Sequence, residues 1–284
     1  MSLTQAPPTD LDPAQLAAIL RWYVDMGVDI AIEEEAQNRF MEVARPAPVA
    51  APQETRREPR APATFSANPN SGRSVDAAAA LSVEAAVQVA RESAARAATL
   101  DELRAELMAF EGCILKRSAT NFVFADGDPK SRIMFSGDAP GDEDDRQGLP
   151  FTGAPGRLLD RMLKAIGLDR STVYLSNLVP WRPPRRRLLP QESAVCLPFA
   201  WRHIELANPA ILVCLGDDPT SSLMGLKGGA IRNRGAWLDL NTGNGANIRT
   251  VATLAPSYLL RATASKRAVW RDLIDIRKAL DAAP

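Results

Sequence analysis

One short stretch of the sequence, GDAPGDEDDRQGLPFTG over residues 137–153, combines a bare backbone, a run of acids and an aromatic side chain. Glycines allow backbone N–H groups to approach a ligand closely, so its first turn, GDAPG, could bind a phosphate or a nucleotide. The stretch lacks both the GK[ST] of a P-loop and the GxGxxG of a dinucleotide-binding turn. An ordinary structural turn is therefore an equal alternative at this point.

The acids of this stretch, Asp142 to Asp145, could suggest a metal site. Side chains of consecutive residues point in different directions, and so we predict a solvated loop in preference to a set of metal ligands. A second turn, LPFTG, then displays Phe151. We therefore expect a turn, a polar loop and a displayed aromatic side chain in succession.

A second stretch, WRPPRRR, places Arg182, Arg185, Arg186 and Arg187 beside a rigid pair of prolines. A planar guanidinium matches the oxygens of a phosphate group, so this stretch could clamp a nucleic-acid backbone. A solvated turn is the alternative. The position of the arginines after a predicted strand, close to Asn177, favours the phosphate clamp.

The chain contains one histidine, His203, which lies within the helical pattern RHIELA and away from any predicted strand end. We predict a packing or surface role for it. A serine-histidine triad and a metal site built from several histidines are then nearly excluded. Cys214 lies in a buried type of strand, where we expect a core residue.

Four short apolar runs predict buried strands, and amphipathic segments between them predict helices. The strands are RIMFS (132–136), VYLSNLV (173–179), AILVCLG (210–216) and IRTVATL (248–254). The helices cover 156–167, 190–207, 218–225 and 265–280. This alternation predicts a parallel sheet with helices on both faces.

Each predicted strand is followed by an unusual polar or basic segment. The four segments are GDAPG, SNLVPWRPPRRR, GDDPT and APSYLLR. Ligands bind to open α/β sheets beyond the carboxyl ends of the strands. We therefore expect the chemistry of this protein at that edge of the sheet.

Composition limits the class of protein. The chain has 284 residues, 46% of them hydrophobic, a net charge of zero and three cysteines, none of them in a CxxC pair. One sizeable core fits this length, and the cysteine usage favours a reducing compartment over a disulfide scaffold. We find no run of about 18 apolar residues and no signal-peptide pattern, so we expect a cytoplasmic protein without a membrane span.

Three segments are predicted along the chain. Residues 1–45 form an acidic helical segment, since apolar residues recur there with helical spacing. Residues 46–75 are rich in Pro, Ala and Arg and lack periodicity, which predicts a disordered linker. Residues 76–284 form the α/β domain, with leading helices over 76–110; an Ala-rich run over 75–100 begins them.

These segments, in this order, resemble the uracil-DNA glycosylase superfamily, and family 4 most of all. The matching motifs are GDAPGDEDDRQGLPFTG, GRLLDRMLKAIGLDRSTVYLSNLVPWRPP, IELANPAILVCLG and APSYLLR. The similarity extends from about 103 to 280. It implies a three-layer α/β sandwich with a central four-stranded parallel sheet flanked by helices, here preceded by an N-terminal helical extension.

The resemblance also implies that the protein hydrolyses the N-glycosidic bond of an extruded deoxyuridine. Asp138 stands where the family usually has Glu, and Phe151 is the face on which uracil stacks. The amide of Asn177 has both a donor and an acceptor, which suits the uracil edge and would reject cytosine. The resemblance then implies three catalytic positions, which are Asp138, Asn177 and Ala255. The positions that would bind the substrate are Gly137, Ala139, Phe151, Asn177 and Ser257. The positions that would bind DNA are Arg182, Arg185, Arg186, Arg187 and Arg261.

Three departures from the family bear on function. One is that Arg186 and Arg187 or their neighbours replace the Gly-Asn that usually follows the paired prolines, which could add phosphate affinity or disturb the loop. The four cysteines that bind a [4Fe–4S] cluster in family 4 correspond to Cys113, Lys116, Trp181 and Cys196, and two thiolates cannot supply such a set. We therefore predict that the cluster is lost, that Cys113 and Cys196 are remnants of its ligand set, and that Trp181 packs in its place. No other metal is predicted.

The third departure is Ala255, which stands where the family has a histidine at the uracil carbonyl. Three hypotheses follow. The protein is a uracil-DNA glycosylase slowed by the missing histidine, a catalytically inactive adaptor that binds uracil-containing or single-stranded DNA, or a glycosylase for another damaged base. We expect uracil-containing DNA as the partner, a monomeric chain, no membrane contact, and a repair protein bound through residues 1–75.

Overall fold

The computed structural model of the protein describes residues 71–184 and 187–283. Its strands are β1 (Ala125–Gly127), β2 (Ile133–Gly137), β3 (Tyr174–Asn177), β4 (Ile211–Leu215), β5 (Trp237–Asn241) and β6 (Asn247–Thr253). They form one sheet in the order β1-β3-β2-β4-β6-β5. All four predicted strands are confirmed, as β2, β3, β4 and β6.

The four inner strands run parallel, as predicted, and an antiparallel strand flanks them at each edge. Neither edge strand was predicted. β1 has only three residues, which is too short for a recognisable apolar pattern. β5 is only partly buried and carries polar residues, so its sequence lacks the apolar pattern that predicts a buried strand.

The described helices alternate with these strands. They are α1 (Ser71–Arg96), α2 (Leu100–Ala109), α3 (Asp142–Gln147), α4 (Gly153–Ala165), α5 (Pro190–Ala207), α6 (Asp217–Ser222), α7 (Gly229–Asn233), α8 (Pro256–Arg261) and α9 (Lys266–Ala282). Short 3₁₀ turns cover Ile114–Arg117 and Thr263–Ser265. The four predicted helices between and after the strands correspond to α4, α5, α6 and α9, with boundaries shifted by a few residues.

Two hydrophobic cores lie on opposite faces of the sheet, because successive side chains of a strand point to opposite faces. Met134 of β2 belongs to the core that contains Phe199 of α5 and residues of α1 and α2. Phe135, the next residue, belongs to the core that contains Leu159 of α4 and Ile276 of α9. The strand β2 is buried along its whole length, and the fold is the predicted three-layer sandwich.

The start of the first described helix can be compared with the predicted boundaries of the N-terminal segments. Helix α1 begins at Ser71, inside the range 46–75 that we predicted as a linker. The acidic segment 1–45 and the rest of that linker lie outside the described residues. In the part of the chain that the structure describes, no helix is both long enough and apolar enough to span a membrane.

Candidate active site

The carboxyl ends of the parallel strands meet at one edge of the sheet, and there they bring together the turns that the sequence singled out. Gly137 at the end of β2 pairs with Asn177 at the end of β3. Two further backbone hydrogen bonds join the turns beyond them, from Leu178 N to the Gly137 carbonyl (2.8 Å) and from Val179 N to the Asp138 carbonyl (3.2 Å). The turn GDAPG is thus fixed directly against the chain that follows Asn177.

Gly137 is the point at which three predicted site residues converge. A Cβ atom at this position would lie 2.6 Å from Oδ1 of Asn177 and 2.7 Å from Cζ of Phe151. Any side chain here would overlap with both neighbours. The glycine is required by this close approach of two side chains and not by an unusual backbone angle.

Phe151 is held in a left-handed backbone conformation, with φ of 53°. Its carbonyl oxygen accepts a hydrogen bond from the guanidinium of Arg170 and lies 1.6 Å from the position that a Cβ on Gly156 would occupy. Arg170 is itself fixed by ion pairs with Asp126 (2.6 Å) and Asp160 (2.7 Å). These contacts stabilise a backbone conformation that is otherwise unfavourable for a bulky residue.

The same contacts correct one expectation about Phe151. Its side chain is 9% exposed and belongs to the core cluster on the α4 face, so it is mostly buried instead of displayed. The edge of the ring that carries Cζ and Cε1 faces Gly137. A ligand at the turn would therefore meet only a small part of this ring.

The amide nitrogen of Asn177 is a buried donor that lacks a hydrogen-bond partner among the described residues. It is the one buried side-chain nitrogen or oxygen in this condition within that part of the chain. Leaving a buried donor unsatisfied costs about 1–3 kcal/mol, and such groups are rare in native proteins, so each one requires an explanation. The geometry therefore places a ready donor beside the glycine turn.

Asp138 follows Gly137 and points toward the start of α6. Its Oδ1 accepts a hydrogen bond from the backbone N–H of Asp218 at 3.1 Å. A Cβ on Gly216 would lie 2.7 and 2.8 Å from the two carboxylate oxygens. Gly216 has φ of 112°, so both its conformation and its lack of a side chain make room for this carboxylate.

The surroundings of Asp138 make its ionisation unfavourable. Burial raises its pKa to about 7, and the negative charges of Asp218 and Asp217 add to this effect. The hydrogen bond from the Asp218 backbone and the positive charge of Arg187 act in the opposite direction. The carboxyl thus titrates near neutral pH, which is the range suited to a general base.

The acids that follow the turn are structural, which corrects the prediction of a solvated loop. Residues 142–147 form α3, and Asp144 accepts hydrogen bonds from Gly141 N (2.9 Å) and from the N–H (2.6 Å) and hydroxyl (2.7 Å) of Thr152. Asp144 thereby joins the two turns of the stretch. Asp145 is buried and accepts hydrogen bonds from the N–H groups of Thr120 (2.8 Å) and Asn121 (3.0 Å).

Arg182 binds the same acidic helix. Its Nη1 lies 2.6 Å from Oδ1 of Asp142, and its Nε lies 3.0 Å from Oδ2 of Asp145. Burial opposes the charge of Asp145, but the hydrogen bonds from Asn121, Arg182 and Thr120 outweigh this effect and hold its pKa below the ordinary value. The guanidinium of Arg182 is therefore already bound by carboxylates of the protein itself.

The remaining predicted DNA-binding arginines fall in different places. Arg185 and Arg186 lie outside the described residues. Arg187 is exposed, and its charge acts on Asp138 and Asp218. Arg261 is exposed in the last turn of α8.

The end of β6 contributes no polar side chain at the predicted histidine position. Ala255 is the half-buried residue that precedes α8, and Ser257 is exposed in the first turn of that helix. Ala139, in the turn after β2, is half-buried and packs against the core. Of these residues, only Ser257 has a side chain that can form hydrogen bonds.

His203 is a core residue, as one of the two predicted roles allowed. It is buried, stacks on Phe124 with a ring-centroid separation of 4.5 Å, and shares a 2.7 Å hydrogen bond with the hydroxyl of Tyr174. Burial lowers the pKa of this imidazole to about 4. Cys214 is fully buried in β4, as predicted, and burial raises the pKa of its thiol.

Three of the four positions that the resemblance assigns to cluster ligands, Cys113, Trp181 and Cys196, belong to the same hydrophobic core. Cys113 and Cys196 are buried free thiols joined by a hydrogen bond, which lowers the pKa of Cys113 and raises that of Cys196. Trp181 is buried in the same core and contacts Phe122. The ammonium of Lys116 is also engaged: it donates to the carbonyls of Met108 (2.7 Å) and Phe110 (3.2 Å) and pairs with Glu111.

Sequence reasoning missed several residues of this site. Gly216, Asp217 and Asp218 surround Asp138, and Arg170 and Gly156 fix the backbone of Phe151. The motif GDDPT at the end of a predicted strand was the available signal for the first three. No local pattern signals Arg170, because its partners Asp126 and Asp160 are distant in sequence.

Fold and site together define an α/β protein in which a buried carboxyl, an unpartnered amide and one edge of an aromatic ring lie at the carboxyl ends of the parallel strands. The sequence model of the Uracil DNA glycosylase superfamily matches residues 124–274, which contain all of these groups. The chain belongs to the uracil-DNA glycosylase superfamily and is similar to its family 4.

Several proteins named Type-4 uracil-DNA glycosylase are similar to this chain. The one from Thermotoga maritima is 37% identical over 165 residues, which are 57% of this chain and 84% of that protein. The one from Saccharolobus solfataricus is 34% identical over 192 residues, or 65% and 88% of the two chains. The one from Archaeoglobus fulgidus is 41% identical over 119 residues, or 42% and 60%.

Proposed function

We propose that this protein is a DNA glycosylase that excises uracil from DNA in base-excision repair. The observation that carries the proposal is the buried amide nitrogen of Asn177, which has no partner among the described residues. An extruded uracil offers carbonyl oxygens that would accept from this nitrogen and an N–H that would donate to its amide oxygen. Cytosine presents an amino donor at one of these places and would leave the same amide unsatisfied.

The turn beside Asn177 supports this assignment. Gly137 carries no side chain, and this lets the amide of Asn177 and the ring edge of Phe151 lie together at the end of β2. Extrusion of the base is required because the reacting carbon cannot be reached within a stacked duplex. The contacts of Arg170 and Gly156 would hold the ring in place before the base arrives.

Asp138 is suited to activate water for hydrolysis. In the proposed step a water oxygen bonds to C1′ of the sugar while the bond from C1′ to N1 of uracil breaks, and the uracil leaves with the electron pair. The ionised carboxylate accepts the proton from the water and stabilises positive charge that develops on the sugar. Gly216 and the Asp218 N–H would hold this carboxylate in position.

Ala255 supports a slow reaction and also a second candidate function. In the family a histidine at this position lies at the uracil carbonyl, where negative charge develops, and alanine has no group that could donate there. An inactive adaptor that binds uracil-containing DNA is favoured by this one residue. The near-neutral pKa of Asp138 and the unpartnered amide favour the active enzyme.

We propose that the protein lacks the iron–sulfur cluster of family 4. A [4Fe–4S] cluster requires four ligands of the thiolate type, and the corresponding positions supply two. The thiols of Cys113 and Cys196 share a hydrogen bond, Lys116 binds the carbonyls at the end of α2, and Trp181 is buried in the core. This arrangement does not fit a cluster, and no step of the proposed reaction depends on one.

For the DNA contact we propose Arg185, Arg186, Arg187 and Arg261. Arg187 and Arg261 are exposed in the segments that follow β3 and β6. Arg182 is a weaker candidate, because Asp142 and Asp145 already bind its guanidinium. We also retain the proposals of a monomeric chain and of a repair-protein partner for residues 1–75.

The decisive experiment is an excision assay. The full-length protein is incubated with a labelled oligonucleotide that contains one uracil, and abasic sites are then cleaved with alkali. We expect strand cleavage with wild-type protein and at least a tenfold lower rate with Asn177→Ala. Tight binding of the uracil oligonucleotide without cleavage would establish the adaptor instead, and parallel substrates with a T mismatch or hypoxanthine would reveal a different base.

A further inference from the structure

The structure places the backbone N–H of Asp218 against the proposed water-activating carboxylate of Asp138, and the negative charge of the Asp218 side chain acts on the same group. We infer that Asp218 is a positioning residue for Asp138: its backbone orients that carboxylate, and its side-chain charge sets the pH at which excision begins. The inference rests on the proposed excision function and assigns a role to a residue outside the motif GDAPG. It makes the turn GDDPT after β4 part of the active site.

The orientation comes from backbone contacts on two sides of Asp138. The Asp218 N–H donates to Oδ1 of Asp138 at 3.1 Å, and the Cα of Gly216 leaves space against both carboxylate oxygens. Gly216 continues directly from β4, and its N–H donates to the Thr253 carbonyl of β6 at 3.0 Å. The carboxylate is therefore held by the rigid end of the sheet.

The charge effect follows from the groups that surround Asp138. Asp217 and Asp218 lie at the start of α6, Arg187 precedes α5, and Cys214 is on β4. The two aspartates oppose ionisation of Asp138, Arg187 favours it, and the Cys214 thiol stays protonated because its burial raises its pKa. Asp218 is itself affected: burial and the charge of Asp217 raise its pKa.

Asp217 and Asp218 do not act equally. Oδ1 of Asp217 accepts from Ala230 N at 2.8 Å, so this carboxylate is directed toward α7. The charge of Asp218 has the larger effect on Asp138. The variant Asp217→Asn therefore serves as a matched control, with the same chemical change one residue earlier in the chain.

The test compares single-turnover excision rates of the full chain between about pH 5 and 9 for wild type, Asp218→Asn, Asp217→Asn and Arg187→Gln. Ionised Asp138 is the active form, so the rate rises with pH through its pKa. Removing the neighbouring negative charge should move this rise about one pH unit lower in Asp218→Asn, and by less in Asp217→Asn. Arg187→Gln should move it to higher pH.

A carbon-detected NMR titration of the Asp138 carboxyl in the same variants gives a readout that does not need activity. A titration midpoint that is lower in Asp218→Asn and higher in Arg187→Gln supports the inference. An unchanged midpoint in Asp218→Asn, or an active enzyme whose rate profile does not move in that variant, overturns it. If wild type excises nothing at any pH, the proposed function fails, and the NMR midpoints alone then decide whether Asp218 controls Asp138.

Discussion

The amide oxygen of Asn177 lies 2.6 Å from the position that a Cβ on Gly137 would take, and the ring of Phe151 lies 2.7 Å from the same point. Gly137→Ala should therefore displace both side chains by a fraction of an ångström or more. A misplacement of about 1 Å at a reacting site costs roughly 10²-fold in rate. We expect this loss in single-turnover excision, with overall DNA affinity retained.

Gly141→Ala is the matched control for this variant, since it lies in the same turn. A Cβ there would meet no atom closer than 3.7 Å, from Asp144, and the φ of −83° suits alanine. We expect nearly wild-type excision in this control. Equal activity of the two variants would show that the approach to Gly137 is not part of the site.

Ala255→His should restore a missing donor at the end of β6. Loss of one donor to a developing negative charge costs about 2.7–4 kcal/mol, or roughly 10²–10³ in rate, in other enzymes. We expect the histidine variant to excise uracil at least tenfold faster than wild type at saturating enzyme, with little change in DNA affinity. A folded, DNA-binding variant that is no faster would favour the adaptor or a different base.

The positions that correspond to cluster ligands make a prediction about metal content. Protein purified without oxygen should be colourless and should contain no stoichiometric iron, because two of these four positions, Cys113 and Cys196, can supply thiolates and the other two cannot. Visible absorbance spectroscopy and an iron assay measure this directly. A broad iron–sulfur absorbance with stoichiometric iron would contradict the proposal.

We expect that loss of the Arg182 side chain lowers the stability of the fold more than it lowers the affinity for DNA. Arg182→Ala removes a partner of Asp145, whose side chain is 2% exposed, although two backbone N–H groups would still bind that carboxylate. We expect a loss of about 1–3 kcal/mol in the free energy of unfolding, measured with urea. Arg261→Ala, at an exposed arginine of α8, should unfold like wild type.

A change at Asp138 should show how much stability the buried carboxyl costs. Its pKa rises from the ordinary 3.8 to about 7 in the folded state. The folded protein therefore keeps a proton that the unfolded chain loses between these values, so stability falls as pH rises through this window. Asp138→Asn removes that cost and keeps an oxygen for the Asp218 N–H.

We expect Asp138→Asn to raise the free energy of unfolding by about 2–4 kcal/mol near pH 8, with the gain disappearing toward pH 4. Urea unfolding of wild type and variant across this range measures the difference. The same variant should lose excision activity. A stability gain that does not depend on pH would point to packing and not to the charge.

The sheet could be predicted from the sequence because its inner strands are buried on both faces. AILVCLG is an apolar run that ends in a glycine, RIMFS has an apolar centre, and such short runs are typical of parallel strands that are covered on both faces. The edge strands β1 and β5 were missed, since one is very short and the other is partly exposed. The acids of α3 were predicted as a solvated loop because the groups that bind them, such as Arg182 and Thr120, are far away in the sequence.

The site was predictable only in part, because some of its contacts join residues that are far apart in the sequence. Gly137, Asp138, Phe151 and Asn177 belong to motifs with a family resemblance, and the structure brings them together. The contacts of Asp218 with Asp138, and of Arg170 with Phe151, join residues that are 80 and 19 positions apart. Such contacts arise from the fold and leave no periodic signal in the chain.

The buried pair of Tyr174 and His203 has a practical consequence for studying this enzyme. His203 is the only histidine in the chain, and burial lowers its pKa to about 4. Protein titrations near neutrality are commonly dominated by imidazole groups. His203 does not titrate in that range, so an inflection near pH 7 in the rate of a mutant series does not come from an imidazole and needs no histidine variant as a control.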